Sequence, residues 1–472
     1  MSYRYPLISL VLIAGLFSTA ARAATIVSVT PDSLTPGPEV PPDFAGVSCE
    51  SHMLRPDDDG YYYFSPQNTK LIALYKMLGI RSLRIGGNSA DELSPTAITP
   101  RDIDALYGFA RAAGVKIIYT LRLKGQTDAR NAIPIARYIM DHYDSLTTCF
   151  AVGNEANMYI HSPEEYCRLF KIYIDQISAV VPNARFCGSS CTPSKPEWAA
   201  AVARQFAGNP HLALITQHCY PGGNGRKQSG LSARDKILSP AIDLDYQKFY
   251  DRFAPDVLER SLPYRLEESN SYFHGGSPGA SDAFASTLWG LDFMYWWASH
   301  SCAGINFHTG DSTGGYPMPR GSYSLFWTAP DGYAVHPLGY AVKAFSLAGP
   351  GKLIPMKVSS ADEVNMTAYA VESDDEKTLT LTLINREHGP AARDALVQFV
   401  PEGEYQQIAF MNLTAPHDDV SSTSGVELGG AEITPDATWA AHWSQLPSSP
   451  VRGLIEIPVQ ASTAIIVKLS HD

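Results

Sequence analysis

The sequence contains no extended run of basic residues and, after its first residues, no apolar run long enough to cross a membrane. Arg226-Lys227 is as long as any lysine or arginine run becomes, while the formal net charge of the 472-residue chain is -12. Because nucleic-acid binding requires a basic surface, this composition excludes nucleic acid as the main partner, although a local pocket can still bind an anion. The most apolar internal stretch, residues 289–307, is interrupted by Asp292 and His300 and therefore does not match a membrane-spanning helix.

Cysteine is also scarce, and its distribution excludes most cysteine-based sites. The seven cysteines lie between Cys49 and Cys302, and they show no paired spacing of the zinc-knuckle kind. Several of them lie in or beside apolar runs, where a free buried thiol is expected. Cys187 and Cys191 form the one candidate disulfide, which export to an oxidising compartment would permit. The sequence therefore predicts neither a metal site nor an organic cofactor.

What the sequence does contain begins with a segment typical of export. Residues 1–23 combine Arg4, an apolar run over 7–17 and the small-residue ending Ala21-Arg22-Ala23. This pattern predicts a cleaved signal peptide and a secreted or periplasmic protein without membrane attachment after cleavage. With 45% hydrophobic and 11% aromatic residues, the remaining chain is long enough and apolar enough for two domains with large cores.

Residues 44–345 alternate short apolar runs with longer amphipathic stretches. Eight runs have the length of strands, and apolar residues three and four positions apart predict helices between them. The predicted strands are 44–49, 82–85, 116–121, 149–152, 185–188, 212–216, 264–266 and 304–307, and the helices include 68–78, 102–113, 131–142, 163–180, 245–259 and 281–299. Eight strand-helix pairs over this length predict an α/β fold, the (β/α)8 or TIM barrel. A doubly wound open sheet is the alternative, but no G-x-G-x-x-G motif follows a strand.

The pattern changes after Ala348-Gly349-Pro350. Four segments alternate apolar and polar positions and are separated by clusters of glycine, proline, aspartate and serine. They are residues 366–371, 378–385, 454–457 and 463–469. We therefore predict an appended antiparallel β-sandwich domain over residues 350–472. Residues 24–43 contain one further strand and a proline-rich linker, and we expect this strand to join the sandwich.

Two acidic motifs follow strands of the predicted barrel. Asn154-Glu155 closes the fourth strand, and Glu267-Glu268 closes the seventh. Active sites of (β/α)8 barrels lie at the carboxyl ends of the strands, so carboxylates from both motifs are expected in one mouth, where they indicate acid/base chemistry. No arginine or lysine beside either motif is in position to neutralise both, which disfavours a structural salt-bridged pair. Since alternate strand residues face opposite sides, Glu267 and Glu268 are expected to point apart.

These motifs resemble the large superfamily of retaining barrel glycoside hydrolases, where an Asn-Glu pair ends strand four and a second Glu ends strand seven. Residues 268–278, with the sequence ESNSYFHGGSP, and residues 281–285 are similar to glycoside hydrolase family 79, which contains β-glucuronidases and heparanases. Residues 83–87 and 217–220 and the predicted sandwich also match what is expected of this family, so the resemblance covers nearly the whole chain after residue 23. Ala156 departs from the family, because relatives usually have Pro after the acid/base Glu.

The resemblance implies specific roles for the strand-end residues. Glu155 would be the acid/base residue and Glu268 the nucleophile, with Glu267 as the competing choice. A retaining mechanism needs its two carboxyl groups about 5 to 5.5 Å apart. Asn154 would donate to the sugar 2-hydroxyl, and Tyr220 would donate a hydrogen bond to the nucleophile. Core packing remains the alternative for Tyr220, and a strand-end cap remains the alternative for Asn154.

Further strand-end residues are candidates for binding the sugar. They are Glu50 after strand one, Asn88 and Asp91 after strand two, His308 after strand eight, and Gly315 and Tyr316 in the following glycine-rich loop. By resemblance, Glu50 would bind sugar hydroxyls, and the loop with Gly315 and Tyr316 would bind the carboxylate of a uronic acid. Asn88 and Asp91 are equally ordinary turn residues, and a flexible loop is the alternative for the glycine-rich segment.

The sequence thus predicts an exported retaining exo-β-glucuronidase that hydrolyses terminal β-D-glucuronic acid from a glycan or glycoside by double displacement. The alternatives within the enzyme class are an endo-acting heparanase-like glycosidase and a β-glycosidase for a neutral sugar. The alternative from another class is a non-catalytic carbohydrate-binding protein. The presence of both Glu155 and Glu268 argues against that last possibility.

Overall fold

Two strands that lie outside the barrel come first in the described part of the chain. The computed structural model describes residues 24–32, 37–94, 97–311, 321–403, 405–445 and 454–471, so the expected signal peptide lies outside the described residues. The first strand, β1 (Thr25–Pro31), buries Val27 and Val29 completely, and the second, β2 (Glu39–Val40), leads into the barrel. Alternating burial along β1 indicates a strand with one face on a core.

Eight parallel strands close into a barrel, which confirms the predicted (β/α)8 fold. Each strand pairs with the next along the chain, and the last pairs with the first. The strands are β3 (Ala45–Glu50), β4 (Ser82–Gly86), β5 (Lys116–Leu121), β6 (Thr147–Val152), β7 (Phe186–Ser189), β8 (Leu212–Cys219), β9 (Tyr264–Ser269) and β10 (Cys302–His308). All their carboxyl ends therefore meet at one mouth.

Helices surround the barrel and connect its strands. They are α1 (Thr69–Leu78), α2 (Asn88–Glu92), α3 (Pro100–Ala113), α4 (Ile133–Tyr143), α5 (Pro163–Ser178), α6 (Glu197–Phe206), α7 (Gly230–Leu238), α8 (Ala241–Tyr250), α9 (Ala254–Leu258), α10 (Phe284–Ser299) and α11 (Pro337–Ser346). The single helix predicted over 245–259 is wrong in its length, because α8 ends at Tyr250 and Phe253 leaves helical geometry before α9 starts.

Helix α10 explains the most apolar stretch of the sequence. Every residue from Phe284 to Ala298 is buried, because α10 contacts the barrel strand β10 on one side and the second domain on the other. A helix that is covered on all sides is apolar all round. No described helix is both long and apolar enough to cross a membrane.

The predicted β-sandwich is confirmed. After the hairpin β11 (Phe326–Ala329) and β12 (Gly332–Val335), its strands are β13 (Gly351–Ile354), β14 (Met356–Ser360), β15 (Met366–Ser373), β16 (Thr378–Asn385), β17 (Ala395–Phe399), β18 (Gln407–Thr414), β19 (Glu427–Leu428), β20 (Ser444–Gln445), β21 (Ile455–Val459) and β22 (Thr463–Ser470). One sheet has the order β14-β1-β17-β21, and the other contains β2 and the remaining strands. Pairing is antiparallel except between β1 and β17, which are parallel.

The seven cysteines are all free and buried, so the disulfide expected between Cys187 and Cys191 does not form. The two thiols pack in different places. Cys187 lies in the barrel interior against Cys149, whereas Cys191 belongs to the large cluster of apolar residues around the barrel. The two cysteines are close in sequence, but β7 ends between them, so their sulfur atoms lie in different parts of the protein.

Candidate active site

Two carboxylates from opposite parts of the barrel meet at its mouth. Glu268 lies on β9, Glu155 lies just after β6, and His218 on β8 lies between them. A carboxylate oxygen of each glutamate and a ring nitrogen of His218 all lie within 4.8 Å of one another. The two acidic motifs of the sequence are thus brought into one site.

Glu268 is buried, yet its surroundings stabilise the ionised form. Arg84 Nη1 donates to Glu268 Oε2 over 2.5 Å, and the Tyr220 hydroxyl donates to Oε1 over 2.9 Å. Burial raises the pKa of Glu268, but His218, His308 and Arg84 and the Tyr220 hydrogen bond outweigh it and hold the pKa well below its usual range. The ionised form of Glu268 is therefore favoured more strongly than that of an ordinary glutamate.

Glu155 has a different environment from Glu268. Its side chain is 22% exposed, and its Oε1 lies 3.1 Å from His218 Nδ1. Its backbone adopts a left-handed conformation with φ 47°, which non-glycine residues rarely adopt, and its N–H donates to the Ser190 carbonyl over 2.8 Å. Held in this way, the carboxyl group of Glu155 reaches both the cavity and the solvent, so it can exchange protons with water.

His218 connects the two acidic motifs, and the prediction that Glu267 and Glu268 point apart is wrong. Both glutamates approach the same imidazole: Glu268 Oε1 lies 3.7 Å from Nδ1, and Glu267 Oε1 lies 3.8 Å from Nε2. The register between β8 and β9 shifts between Gln217 and His218, so strict alternation does not hold there. Glu267 is fully buried, and its Oε1 accepts no hydrogen bond from the part of the chain that the structure describes.

Arg84 is the functional residue that the sequence reasoning missed most clearly. It is completely buried on β4, and besides Glu268 it donates to Asn154 Oδ1 over 2.7 Å and to Ser48 Oγ over 3.1 Å. The expectation that no cation neutralises the motifs considered only neighbours in sequence, whereas Arg84 arrives from another strand. The signal was present, because a charged residue between Leu83 and Ile85 in a buried strand needs a charged partner.

Glu50 and His308 lie on the same side of the cavity. Glu50 accepts hydrogen bonds from the Asn88 N–H over 3.2 Å and from the Ser89 N–H over 2.9 Å, and its Oε1 lies 3.8 Å from His308 Nε2. His308 Nδ1 also lies 3.2 Å from Ser48 Oγ. Because Glu50, Asn88 and His308 all line the cavity, they present a carboxylate, an amide and an imidazole to its interior.

Asp91 does not line the cavity, in contrast to the expectation that it lines the mouth. Its Oδ1 accepts from the N–H groups of Leu123 and Lys124, and its Oδ2 accepts from the Asn154 N–H over 2.8 Å and from the Tyr159 hydroxyl over 2.7 Å. Both carboxylate oxygens are thus satisfied by the segments after β5 and β6. Asp91 positions Asn154 and leaves no oxygen for a sugar.

The cavity itself has a volume of about 620 Å³, enough for more than one sugar ring. The carboxylates of Glu50, Glu155 and Glu268 line it. Lining residues for which the sequence indicated no individual role include His52, Met53, Met158, Arg226, Phe273, His274 and Tyr323. Gly315 and Tyr316 lie outside the described residues.

Glu155, His218 and Glu268 are also close enough to surround a cation. Glu268 already has a guanidinium partner in Arg84, and burial of His218 is offset by the two glutamates, which raise its pKa. The negative charge of the group is therefore balanced by protein cations, and the arrangement fits proton transfer better than metal binding.

A barrel joined to a β-sandwich defines a fold class that this chain shares with solved glycoside hydrolases. A 4-O-α-L-rhamnosyl-β-D-glucuronidase from Fusarium oxysporum is 17% identical, with a TM-score of 0.69 over 94% of this chain and 99% of that one. A GH51 arabinofuranosidase from Xanthomonas axonopodis is 14% identical, with the same TM-score over 94% of this chain and 100% of that one. At these identities the similarity shows the fold alone.

One curated protein is similar in sequence. A β-glucuronidase from Aspergillus niger is 29% identical over 109 residues, which is 22% of this chain and 19% of that protein. The match therefore spans about a fifth of the relative's length. No protein-family model matches the chain.

Proposed function

We propose that this chain is an exported retaining β-glucuronidase that releases terminal β-D-glucuronic acid by double displacement. One observation carries the proposal: carboxylate oxygens of Glu155 and Glu268 lie within 4.8 Å of each other at the mouth of the barrel. This spacing suits the retaining reaction, because an inverting enzyme keeps its carboxyl groups about 6.5 to 9.5 Å apart to admit a water molecule. The similarity to the Aspergillus niger β-glucuronidase supports the choice of sugar.

Glu268 acts as the nucleophile in this proposal. Its carboxylate is kept ionised by Arg84 and by the histidines, so it can attack the anomeric carbon without first losing a proton. The Tyr220 hydroxyl bonds to one carboxylate oxygen and Arg84 to the other, which fixes the orientation of the carboxylate. The product of the first step is a glycosyl ester on Glu268.

Glu155 acts first as the acid and then as the base. It protonates the glycosidic oxygen as the bond to the leaving group breaks, and it then takes a proton from the water that hydrolyses the ester on Glu268. Its partial exposure suits this double role, since its proton must be renewed from solvent in each cycle. These steps need only water, and we propose no metal and no cofactor.

The remaining cavity residues bind the sugar in this proposal. Glu50, Asn88 and His308 contact hydroxyl groups, and Asn154 donates to the 2-hydroxyl with the amide N–H that its bond to Asn88 leaves available. Gly315 and Tyr316 bind the uronate carboxylate, by N–H and hydroxyl donation respectively. Exo action on terminal residues is part of the same proposal.

A panel of aryl β-glycosides tests the function. We expect turnover of the glucuronide to exceed that of the glucoside, galactoside and xyloside, and NMR of the first-formed sugar to show the β-anomer. A preference for a neutral sugar would contradict the proposed uronic-acid substrate. The α-anomer appearing first would contradict the retaining mechanism. Binding of glucuronides without any turnover would favour the non-catalytic carbohydrate-binding protein.

A further inference from the structure

A second cavity opens at the other end of the barrel, where the strands begin. It is an open cleft of about 760 Å³ between the linker before β3, the starts of β4 and β5, and the last turns of α1 and α11. Four of its side chains are cationic, namely Lys76, Arg81, Lys116 and Lys343. Such a cluster is unexpected in a chain whose net charge is -12.

These four cations have no anionic partner within the described residues. None forms an ion pair or a side-chain hydrogen bond, and Lys343 Nζ instead lies 4.6 Å from the ring centre of Trp439. Asp43 is the only carboxylate among the described residues that line the cleft, and its Oδ2 already lies 3.6 Å from Arg265 Nη1. The described lining of the cleft therefore carries four cationic side chains against one carboxylate.

Helix ends explain only part of this cluster. Lys76 and Lys343 lie in the last turns of α1 and α11, where a cation stabilises the helix dipole. Arg81 and Lys116 lie outside helices, at the starts of two strands, and gain no such stabilisation. Partial burial lowers the pKa of Lys343, so an anion in the cleft would also relieve the cost of burying that ammonium group.

We infer that this cleft is an anchoring site for a polyanionic polysaccharide, whose carboxylate or sulfate groups pair with Lys76, Arg81, Lys116 and Lys343. Several separate cations match several anionic groups along one polymer better than they match one small ion. The cleft is identified from its own charges, whereas the choice of a uronate polymer over other polyanions rests on the proposed function.

Anchoring would act separately from catalysis. The cleft lies at the amino ends of the barrel strands and the catalytic mouth at their carboxyl ends, so strands of four to eight residues separate the two sites. A polymer held there raises the local concentration of cleavable ends without touching the reacting sugar. Loss of the cleft should therefore raise KM for a polymeric substrate and leave kcat, and all kinetics on a small aryl glucuronide, unchanged.

The test is binding of sodium polygalacturonate by the full-length protein, measured by affinity electrophoresis at low salt. We expect the triple variant K76Q/R81Q/K116Q to bind at least about ten-fold more weakly than the wild type, because three exposed charge contacts are lost. Inorganic sulfate at the same charge concentration should compete poorly. Neutral dextran should not retard the protein at all.

The matched control is the triple variant R111Q/R137Q/R168Q. These arginines are exposed and lie outside the cleft, and their replacement changes the net charge by the same amount. We expect this control to bind as the wild type does. Equal weakening of polygalacturonate binding in both triple variants would mean that only the overall charge of the protein matters. Absence of binding by the wild type would contradict the anchoring site.

Lysine acetylation followed by mass spectrometry gives a second readout that does not depend on variants. Polygalacturonate should protect Lys76 and Lys116 and leave Lys227, which follows the mouth residue Arg226, reactive. Protection of Lys227 instead would place the polymer at the mouth and overturn the proposal. Turnover of an aryl glucuronide is measured separately, so failure of the anchoring site and failure of the proposed activity are distinguishable.

Discussion

Two consecutive glutamates on one strand have opposite surroundings. Glu268 accepts hydrogen bonds from Arg84 and Tyr220, whereas Glu267 is fully buried and has one oxygen without a hydrogen-bond partner. Only Glu268 lines the cavity. This difference in surroundings is the reason for proposing Glu268 as the nucleophile, although both residues lie near His218.

The first prediction separates these two glutamates. Glu268→Gln should lower kcat by at least about three orders of magnitude, because the amide cannot attack the anomeric carbon. Glu267→Gln should lower kcat far less, since this residue touches no substrate. Circular dichroism confirms folding of both variants. Near-normal turnover in Glu268→Gln, with the large loss in Glu267→Gln, would reverse the assignment.

The second prediction concerns the acid side of the pH profile. Because the pKa of Glu268 is held below its usual range, protonation of Glu268 should reduce the rate only at pH values below the ordinary glutamate pKa of about 4.3. The Tyr220 hydroxyl stabilises the ionised form, so Tyr220→Phe raises that pKa and should move the acid limb of kcat/KM to higher pH. An unshifted limb would mean that Tyr220 serves packing alone.

The sequence indicated which residues would meet at the barrel mouth, but it did not indicate which side chains would bond to one another. Glu155 and Glu268 were found because strand ends share one mouth in a barrel, a rule that needs only the order of the elements. Arg84 was missed because its partners come from β6 and β9, and no local pattern gives a pairing between distant strands. Asp91 has the residue type of a ligand contact, but backbone N–H groups occupy both its oxygens.

At the scale of elements, the short helix α2 ties together the segments after two strands. Its Asp91 accepts four hydrogen bonds, and one of these fixes the backbone of Asn154 next to Glu155. A single carboxylate thus determines how the ends of β5 and β6 lie beside the cavity. A substitution that breaks these hydrogen bonds should therefore lower kcat, although Asp91 does not itself contact the substrate.

The third prediction is that Asp91→Asn lowers both stability and kcat. An amide cannot accept from all four donors, so about 1 to 3 kcal/mol of unfolding free energy should be lost. Displacement of Asn154 should lower kcat several-fold. Asp104→Asn is the control, because Asp104 is exposed and, among the described residues, its side chain bonds only to Tyr138 and Tyr143. Equal effects in the two variants would contradict a specific role for α2.

Element types were predictable where periodicity is strong, and boundaries were not. All eight barrel strands were recognised from their apolar runs, because parallel strands covered on both faces are continuously apolar. The strands β17 and β18 escaped detection, since their burial depends on partners from other parts of the chain. The break between α8 and α9 was also missed, although Pro255 in the sequence indicates a helix start there.

At the scale of the whole molecule, one buried charge cluster connects the barrel to the sandwich. Arg386 after β16 donates to Asp292 of α10 over 2.9 Å, and Thr367 and Tyr369 donate to the other Asp292 oxygen. Asp243 contacts the same guanidinium group. Both Arg386 and Asp292 are essentially inaccessible to solvent, so the two domains should unfold together.

The fourth prediction tests this connection. Arg386→Leu leaves the Asp292 carboxylate buried without its cation and should cost about 3 to 5 kcal/mol of unfolding free energy. Adding Asp292→Asn removes that charge and keeps the bonds from Thr367 and Tyr369, so the double variant should be more stable than the single one. Differential scanning calorimetry measures both. A double variant less stable than Arg386→Leu would rule out an uncompensated charge as the cause.

The position of β1 constrains the order in which the chain can fold. This first strand pairs with β14 on one side and with β17 on the other, and both are synthesised only after the entire barrel. A growing chain emerging from the ribosome must therefore carry β1 unpaired until residues 356–360 follow, and one edge of β1 stays unpaired until residues 395–399 follow. A nonsense mutation anywhere before β17 would leave the exposed edge of β1 free, so such truncated products should aggregate even when their barrel sequence is complete.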